Sequence, residues 1–270
     1  MRLKLGGFVA VALAAALAAG AAHAITFGQP DGGLHPQVGA LLADFDDQSP
    51  GPDIICSGTL IAGSKTSSAV FLTAGHCTAF LESVGISQVW VTFAPEYDED
   101  STSLAGLFEG TYVTHPGFPG KNPERNDLAV VLLTGAPSAT PATLPTLGLL
   151  DTMKASHALN DTRFTTVGYG TVRDDKTKGP HSLFFDGIRR FATQGYRSMQ
   201  DNWLNLSMNP STGSGGTCFG DSGGPHFIGS SLTIASVTVT GDRFCRATDV
   251  TYRVDTASAR AFLGQFVNLP

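Results

Sequence analysis

The most informative stretch of this chain is Cys218-Phe219-Gly220-Asp221-Ser222-Gly223-Gly224-Pro225. It holds a serine in a glycine-rich turn, four residues after a cysteine. Glycines on both sides let the backbone bend so that the N–H groups of Gly220 and Ser222 converge. Acyl transfer needs such converging donors to stabilise the oxyanion of its tetrahedral intermediate. The stretch therefore predicts that Ser222 is a nucleophile.

Two earlier stretches offer the partners that such a serine needs. Residues 72–77 carry His76 at the end of an apolar run, and residues 126–133 place Asp127 before a fully apolar strand. A serine hydroxyl is a poor nucleophile at neutral pH and needs a base, for which histidine titrates in the right range. A buried carboxylate fixes the tautomer of that histidine and stabilises its charged form. Alone, either residue is typical of an ordinary loop; only the combination with Ser222 predicts acyl transfer.

The serine turn also matches G-x-S-x-G, the nucleophile elbow of α/β-hydrolases. That motif follows a strand, opens a helix, and precedes both its acid and its histidine in the chain. Here Pro225 and Gly229 disfavour a helix, and His226 is the only histidine after Ser222. No room is left for a downstream acid and base, so the sequence argues against a lipase or esterase of that fold.

Together the three stretches resemble the motifs of trypsin-like serine proteases, which have the chymotrypsin fold. In the family's order they are Thr73-Ala74-Gly75-His76-Cys77, Asn126-Asp127-Leu128-Ala129 and Gly220-Asp221-Ser222-Gly223-Gly224-Pro225. The spacings are 51 residues from His76 to Asp127 and 95 residues from Asp127 to Ser222, close to those of the family.

The resemblance implies both a fold and a set of roles. The fold is all-β, with two six-stranded antiparallel β-barrels packed face to face, a C-terminal helix, and the site in the cleft between the barrels. His76 would act as general base and then general acid, with Asp127 orienting it and Ser222 as nucleophile. The N–H groups of Gly220 and Ser222 would form the oxyanion hole.

The residue pattern favours the same fold class. Segments rich in β-branched and aromatic residues recur between turn residues, at 37–42, 58–61, 69–73, 88–93, 110–113, 129–133, 164–169 and 233–240. A helical period appears only over residues 257–267, after a cap at Asp255 or Thr256. Many short strands with one terminal helix predict a sandwich or barrels. The Pro-, Thr- and Ala-rich stretch 134–147 suggests a boundary between one barrel at 25–139 and another at 140–270.

The first 24 residues are typical of a secretory signal peptide. Arg2 and Lys4 precede an apolar run at residues 8–19, and Ala22-His23-Ala24 fits a cleavage site. The run is shorter than the ~20 apolar residues of a membrane span. We expect a secreted protein, extracellular or periplasmic, with no membrane span after signal removal and no obligate partner, hence a monomer.

The expected cut has a second consequence. In the family that the chain resembles, a buried α-amino group, usually of an isoleucine, pairs with the aspartate before the nucleophile. Here cleavage after Ala24 exposes Ile25, and Asp221 precedes Ser222. The usual Ile-Val-Gly-Gly start is matched in part by Ile25-Thr26-Phe27-Gly28. Signal removal by itself would then create the active amine.

The cysteines of an exported chain are expected to form disulfides. Four cysteines allow three pairings, of which the local ones, Cys56–Cys77 and Cys218–Cys245, are the simplest. The resemblance implies the same pairing, with one bridge beside the histidine and the other beside the specificity pocket. No C-x-x-C pair exists and only His76 adjoins a cysteine, so the sequence disfavours zinc. We expect no metal and no cofactor.

Substrate choice is predicted from the pocket. Family members that cleave after Lys or Arg carry an aspartate six residues before the nucleophile, where this chain has Gly216. By the resemblance, the pocket is completed by Thr217, Phe219, Thr238, Val239, Thr240 and Val250. None of these carries a negative charge to neutralise a buried cation. We therefore expect a small or medium apolar residue before the cleaved bond.

Composition excludes several other classes of protein. Hydrophobic residues make up 42% of the 270 residues and charged residues 15%, which excludes disorder. The net charge of −6 and the absence of a densely basic stretch disfavour nucleic-acid binding, so the expected partners are protein or peptide substrates. The acidic run 96–100 is interpreted as a solvated loop rather than a calcium site. The main alternative function is a catalytically silent relative that serves as a binding protein, which usually lacks a triad residue.

Overall fold

The computed structural model describes residues 25–45, 50–65, 68–120, 126–173 and 183–270. The signal peptide expected at residues 1–24 lies outside this part of the chain. The strands that the structure describes are β1 (Gln29–Pro30), β2 (Val38–Ala43), β3 (Asp53–Ile61), β4 (Ala69–Thr73), β5 (Gln88–Thr92), β6 (Leu107–Thr114), β7 (Ala129–Leu133), β8 (Arg163–Gly168), β9 (Val172–Arg173), β10 (Leu183–Phe184), β11 (Arg190–Met199), β12 (Trp203–Ser207), β13 (Pro225–Ile228), β14 (Ile234–Gly241) and β15 (Thr248–Arg253).

The strands close into two antiparallel barrels, which confirms the predicted fold class. The first barrel has the order β2-β3-β4-β7-β6-β5 and closes where β2 pairs with β5. The second has the order β11-β12-β15-β14-β13-β8 and closes where β8 pairs with β11. The short β1 adds to β11 and so ties the start of the described chain to the second barrel. The remaining strands β9 and β10 form a separate two-stranded sheet.

Three α-helices accompany the barrels: α1 (Gly75–Ser83), α2 (Leu149–Ala155) and α3 (Ala257–Leu263). The helix α3 was predicted, and it is capped by Thr256, whose hydroxyl accepts a hydrogen bond from the Ala259 N–H. It ends before Gly264, a poor helix former, rather than at residue 267 as predicted. None of the helices in the described residues has the length and apolar character that crossing a membrane requires.

The largest apolar core joins both barrels to the terminal helix. Val38 and Leu128 of the first barrel region pack in the same cluster as Tyr252 of the second and Phe262 of α3. All four side chains are buried. Because the barrels share this core, the segments that carry His76 and Ser222 are held against each other by apolar packing.

A buried ion pair adds a polar link between the barrels. Arg189, just before β11, donates from Nε and Nη2 to the Asp31 carboxylate at 2.9 Å. Its Nη1 donates to the carbonyls of Val38 and Phe93 in the first barrel region. Burial alone would raise the pKa of Asp31, but the hydrogen bond from His35 and the charge of Arg189 hold it below its usual value. The N-terminal segment is thereby fixed between the barrels.

Candidate active site

His76 and Asp127 meet at the entrance of the first barrel. His76 is the second residue of α1, and Asp127 lies two residues before β7. The ring Nδ1 of His76 lies 3.0 Å from Asp127 Oδ2 and 3.2 Å from Oδ1. The backbone N–H of His76 also donates to Oδ1, at 2.8 Å. The carboxylate thus holds both the ring and the main chain of His76.

This contact sets the tautomer of the histidine. A carboxylate only accepts hydrogen bonds, so the ring proton belongs on Nδ1 and the lone pair on Nε2 is left for another partner. The Asp127 side chain is 3% exposed and the His76 side chain 35% exposed. A buried acid behind a half-exposed imidazole is the arrangement that a general base requires.

Asn126, the residue before Asp127, holds the turn that carries it in place. It has a left-handed φ of 66°, which asparagine tolerates better than most residues. Its Oδ1 accepts hydrogen bonds from Ser258 Oγ of α3 at 2.5 Å and from the Tyr252 hydroxyl at 3.3 Å. These two bonds attach the turn that carries Asp127 to the terminal helix and to the second barrel. The left-handed conformation of Asn126 arises from tertiary contacts that the sequence does not display.

Ser222 lies half-buried in the turn before β13, with a strand rather than a helix after it. The next residue, Gly223, has a φ of 79°, and its N–H donates to the Thr238 carbonyl at 2.8 Å. A Cβ at Gly223 would come within 2.6 Å of Ala74 N, two residues before His76. The turn that carries Ser222 is thus packed closely against the segment that leads to His76. No hydrogen bond joins His76 to Ser222 within the described residues; in enzymes without substrate such bonds are often long.

The N–H groups of Gly220 and Ser222 have the availability that an oxyanion hole needs. Neither of them donates to another group of the described chain. Gly220 has a φ of 95°, which a residue with a side chain rarely adopts. Asp221 lies between these two residues, and its N–H donates to the Cys218 carbonyl at 3.1 Å. Within the described chain, the N–H groups of Gly220 and Ser222 are therefore free to bind an oxyanion.

Two adjoining cavities open at the site. One, of about 550 Å³, is lined by residues that include His76, Asp127, Trp203 and Val250. The other, of about 160 Å³, is lined by Ser222 and by the residues around the Cys218–Cys245 disulfide. Both cavities share Val239 and Thr240. His76 and Ser222 therefore line two cavities that adjoin each other.

The smaller cavity contains most of the predicted pocket residues. Those that line it are Thr217, Phe219, Thr238, Val239 and Thr240. Val250 instead lines the cavity of His76. Gly216 is not among the lining residues of either cavity, and a Cβ there would lie 2.1 Å from Cγ of the fully buried Met208. This contact was not predicted, because nothing in the sequence around Met208 marks it as a neighbour of Gly216.

The smaller cavity also has two charged residues that the sequence analysis missed, Asp242 and Arg243. The Asp242 carboxylate accepts backbone N–H bonds from Arg246, Ala247 and Thr248. Although burial opposes ionisation, these bonds hold the pKa of Asp242 below its usual value. Backbone N–H groups of its own loop therefore satisfy the Asp242 carboxylate. The exposed Arg243 side chain makes no hydrogen bond or ion pair within the described chain.

Asp221, the residue before Ser222, is fully buried. Its two oxygens accept the N–H groups of Gly170 and Cys218, each at 2.8 Å. Burial nevertheless raises the pKa of Asp221 to about 7. Ile25 is also fully buried, and the next residue, Thr26, accepts a hydrogen bond from the Gly216 N–H at 2.9 Å. The segment after the expected cut is thus docked beside the pocket.

The disulfides found are Cys56–Cys77 and Cys218–Cys245. Among the described residues, the only group of three His, Cys or carboxylate side chains close enough to share a metal is Cys56, His76 and Cys77. Both sulfurs of that group belong to one disulfide. The acidic run 96–100 is partly docked, since Glu99 Oε1 accepts the Ile54 N–H at 2.8 Å and burial raises the pKa of Glu99.

Comparisons with known proteins identify the family. The profile of the trypsin family matches residues 41–261, most of the chain. Among proteins with curated descriptions, none matches this sequence. Similar solved structures include an HL collagenase, with a TM-score of 0.62 and 17% identity over 88% of this chain and 95% of that one. Another is neuropsin, a serine protease expressed in the limbic system of mouse brain, with a TM-score of 0.58 and 18% identity over 89% and 98%.

A third similar structure is a human heparin binding protein, with a TM-score of 0.58 and 17% identity over 88% of this chain and 94% of that one. At such identities the structural likeness establishes only the fold, while the family follows from the sequence profile. Since that profile covers the region from His76 to Ser222, the chain belongs to the trypsin family of serine endopeptidases.

Proposed function

We propose that this protein hydrolyses peptide bonds through an acyl-enzyme, with His76, Asp127 and Ser222 as its triad. The observation that supports this most directly is the contact between the His76 ring and the buried Asp127 carboxylate, in a cavity that adjoins the one lined by Ser222. That contact leaves Nε2 as the basic nitrogen. A general base held in this tautomer is what a serine nucleophile needs.

The proposed reaction has two halves. In the first, Ser222 Oγ attacks the substrate carbonyl and transfers its proton to His76 Nε2. The N–H groups of Gly220 and Ser222 stabilise the oxyanion. His76 then gives the proton to the leaving amine as the C–N bond breaks. In the second half water attacks the acyl-enzyme ester and loses its proton to His76. The bond between the acyl carbon and Ser222 Oγ then breaks, and His76 returns the proton to Oγ as the acid leaves.

The pocket supports cleavage after an uncharged residue. Gly216 supplies no carboxylate, and hydrogen bonds from the backbone of the loop engage the negative charge of Asp242. The three threonines and Val239 around the cavity of about 160 Å³ favour a small or medium apolar side chain. A panel of peptides varied at the residue before the cleaved bond tests this, and a strong preference for arginine would contradict it.

We further propose that removal of the signal peptide activates the enzyme. A free α-amine at Ile25 would pair with Asp221, whose buried carboxyl accepts, within the described residues, hydrogen bonds from the backbone N–H groups of Gly170 and Cys218. A buried charge pair would then hold the nucleophile turn, and breaking it costs about 3–5 kcal/mol. An enzyme carrying one extra residue before Ile25 should be nearly inactive; full activity of that enzyme would exclude the idea.

Export and substrate class follow from the same proposal. Removal of residues 1–24 would release the enzyme outside the cytoplasm, where the two disulfides persist. The partners would be protein or peptide substrates, and the enzyme would act as a monomer. Fractionation of the producing cells tests export, and the sedimentation velocity of the purified enzyme tests whether it is a monomer.

A fluorophosphonate probe tests the central claim. Because the probe reacts only with an activated serine, the mature protein should be labelled at Ser222, as located by peptide mapping. The matched control is Ser222→Ala, which should be folded and unlabelled. A folded, unlabelled mature protein would favour the catalytically silent binding protein instead.

A further inference from the structure

Ser57 belongs to β3 of the first barrel, yet its hydrogen bonds reach the nucleophile turn of the second. The residue is fully buried. Its hydroxyl lies 3.0 Å from the Gly220 carbonyl oxygen and 3.0 Å from the Tyr169 nitrogen. Its own N–H donates to the Ser222 carbonyl at 2.9 Å. One side chain of the first barrel therefore contacts the proposed oxyanion hole from behind.

The direction of these hydrogen bonds is fixed by the groups involved. The Tyr169 N–H can only donate, so the Ser57 oxygen accepts it. The Gly220 carbonyl can only accept, so the single hydroxyl proton of Ser57 points at it. Both functions of the hydroxyl are thus used, and alanine at this position would leave a buried N–H and a buried C=O without partners.

Gly220 is the residue for which such a contact matters. Lacking a Cβ, it can rotate freely, and it adopts a φ of 95°. On one side the Phe219 carbonyl accepts the Thr171 N–H at 2.6 Å. In a trans peptide the N–H points away from the C=O, so this bond aims the Gly220 N–H away from Thr171. On the other side Ser57 Oγ is the donor that the Gly220 carbonyl finds within the described residues, while the N–H of the same peptide, that of Asp221, donates to the Cys218 carbonyl at 3.1 Å.

We propose that Ser57 is a positioning residue for the oxyanion hole, which acts by fixing the Gly220 carbonyl and so the orientation of the Gly220 N–H. The inference rests on the proposed function, because it takes Gly220 as an oxyanion donor. Ser57 touches neither the substrate nor the reacting atoms. Its effect should therefore appear in the transition state and not in substrate binding.

Ser57→Ala isolates the hydroxyl, because the main-chain bond from Ser57 N–H to Ser222 survives the change. Loss of a whole oxyanion donor lowers kcat by about 10²–10³-fold, and misalignment of one donor should cost less, about 10- to 100-fold. KM should stay within about twofold. A peptide trifluoromethyl ketone, which forms a tetrahedral oxyanion on Ser222, should lose affinity by the same factor as kcat/KM. The matching peptide carboxamide, which binds without that oxyanion, should keep its affinity.

The control is Ser236→Ala, which removes another fully buried serine hydroxyl, hydrogen-bonded to Thr251 Oγ1. It should lower the melting temperature as Ser57→Ala does while kcat and both inhibitor affinities stay at wild-type values. If Ser57→Ala is too unstable to assay, Ser57→Cys gives the same comparison, since a thiol has similar size but donates more weakly. A partial loss of kcat is expected there.

The outcomes separate this inference from the proposed function. If the wild-type enzyme and Ser236→Ala turn over substrate while the Ser57 variant keeps full kcat and full affinity for the trifluoromethyl ketone, the positioning role is wrong and the triad stands. An equal loss of kcat in both serine variants would also overturn it, because the effect would then be general destabilisation. If the wild-type enzyme neither reacts with the fluorophosphonate probe nor cleaves peptides, the proposed function itself fails.

Discussion

The ionisation of Asp221 provides a quantitative test of activation by the new N-terminus. Burial raises the pKa of its carboxyl to about 7, the backbone donors at Gly170 and Cys218 oppose the rise, and the charges of Asp249 and Arg190 act in opposite directions. A chain that keeps one residue before Ile25 should leave the carboxyl in this state. A free α-amine at Ile25 would instead favour the carboxylate and lower its pKa.

The expected magnitude follows from the size of the shift. The unfolded carboxyl has a pKa of 3.8, so a rise to about 7 in the folded chain corresponds to about 4 kcal/mol. Below pH 3.8 the group is protonated in both states and imposes no cost. As pH rises toward 7, the unfolded chain releases the proton and the folded chain keeps it, so the free energy of unfolding falls. Pairing of the Asp221 carboxylate with the Ile25 amine would lower the pKa in the folded chain and so remove this loss of unfolding free energy.

The assay is urea denaturation between about pH 4 and pH 8. It compares a chain that begins at Ile25 with one that has an extra alanine before it, both carrying Ser222→Ala to prevent self-digestion. Over this range the extended chain should lose about 4 kcal/mol more stability than the mature one. Asp221→Asn in the extended chain is the control and should remove the difference. Equal pH slopes for the two chains would refute the reasoning.

Three further predictions concern the triad, the pocket and the core. Asp127→Asn should lower kcat by about 10⁴-fold, as in serine protease triads, because the His76 tautomer is lost; a decrease below tenfold would contradict the assignment. Gly216→Asp should lower the melting temperature without creating an arginine preference, because the new Cβ meets Met208; efficient cleavage after arginine in the peptide panel would show otherwise. Arg189→Met should cost about 3–5 kcal/mol in urea denaturation, because the buried Asp31 carboxylate would keep its hydrogen bonds to His35 but lose its guanidinium partner. A loss below 1 kcal/mol would exclude that role.

The strands of the first barrel were predicted well, because their side chains follow a simple pattern. β4 and β7 have the predicted bounds, and both are runs of almost entirely buried apolar residues. Four strands of the second barrel were not predicted: β11, β12, β13 and β15. Of these, β11 and β15 bury Arg190, Gln194 and Asp249, whose polar side chains break the apolar pattern. A polar barrel interior cannot be recognised without knowing which groups face one another.

The helix α1 was missed for a related reason. It buries Gly75, Cys77, Thr78 and Leu81, a face made mostly of small or polar residues. Such a face gives no helical period of large apolar side chains. The Cys56–Cys77 disulfide and the hydrogen bond from the His76 N–H to the Asp127 carboxylate hold the start of this helix. Cys56 and Asp127 are both distant from the helix in sequence.

The bare sequence was enough to indicate the family and to predict the site residues, because a glycine turn around a serine, a histidine after an apolar strand and an aspartate before another are short patterns with local backbone requirements. Only the tertiary structure decided how these groups are supported. Ser57 meets Gly220 across 163 residues, and Met208 fills the space beside Gly216. Contacts of this kind depend on how two closed barrels pack, and packing complementarity leaves no periodic signal along the chain.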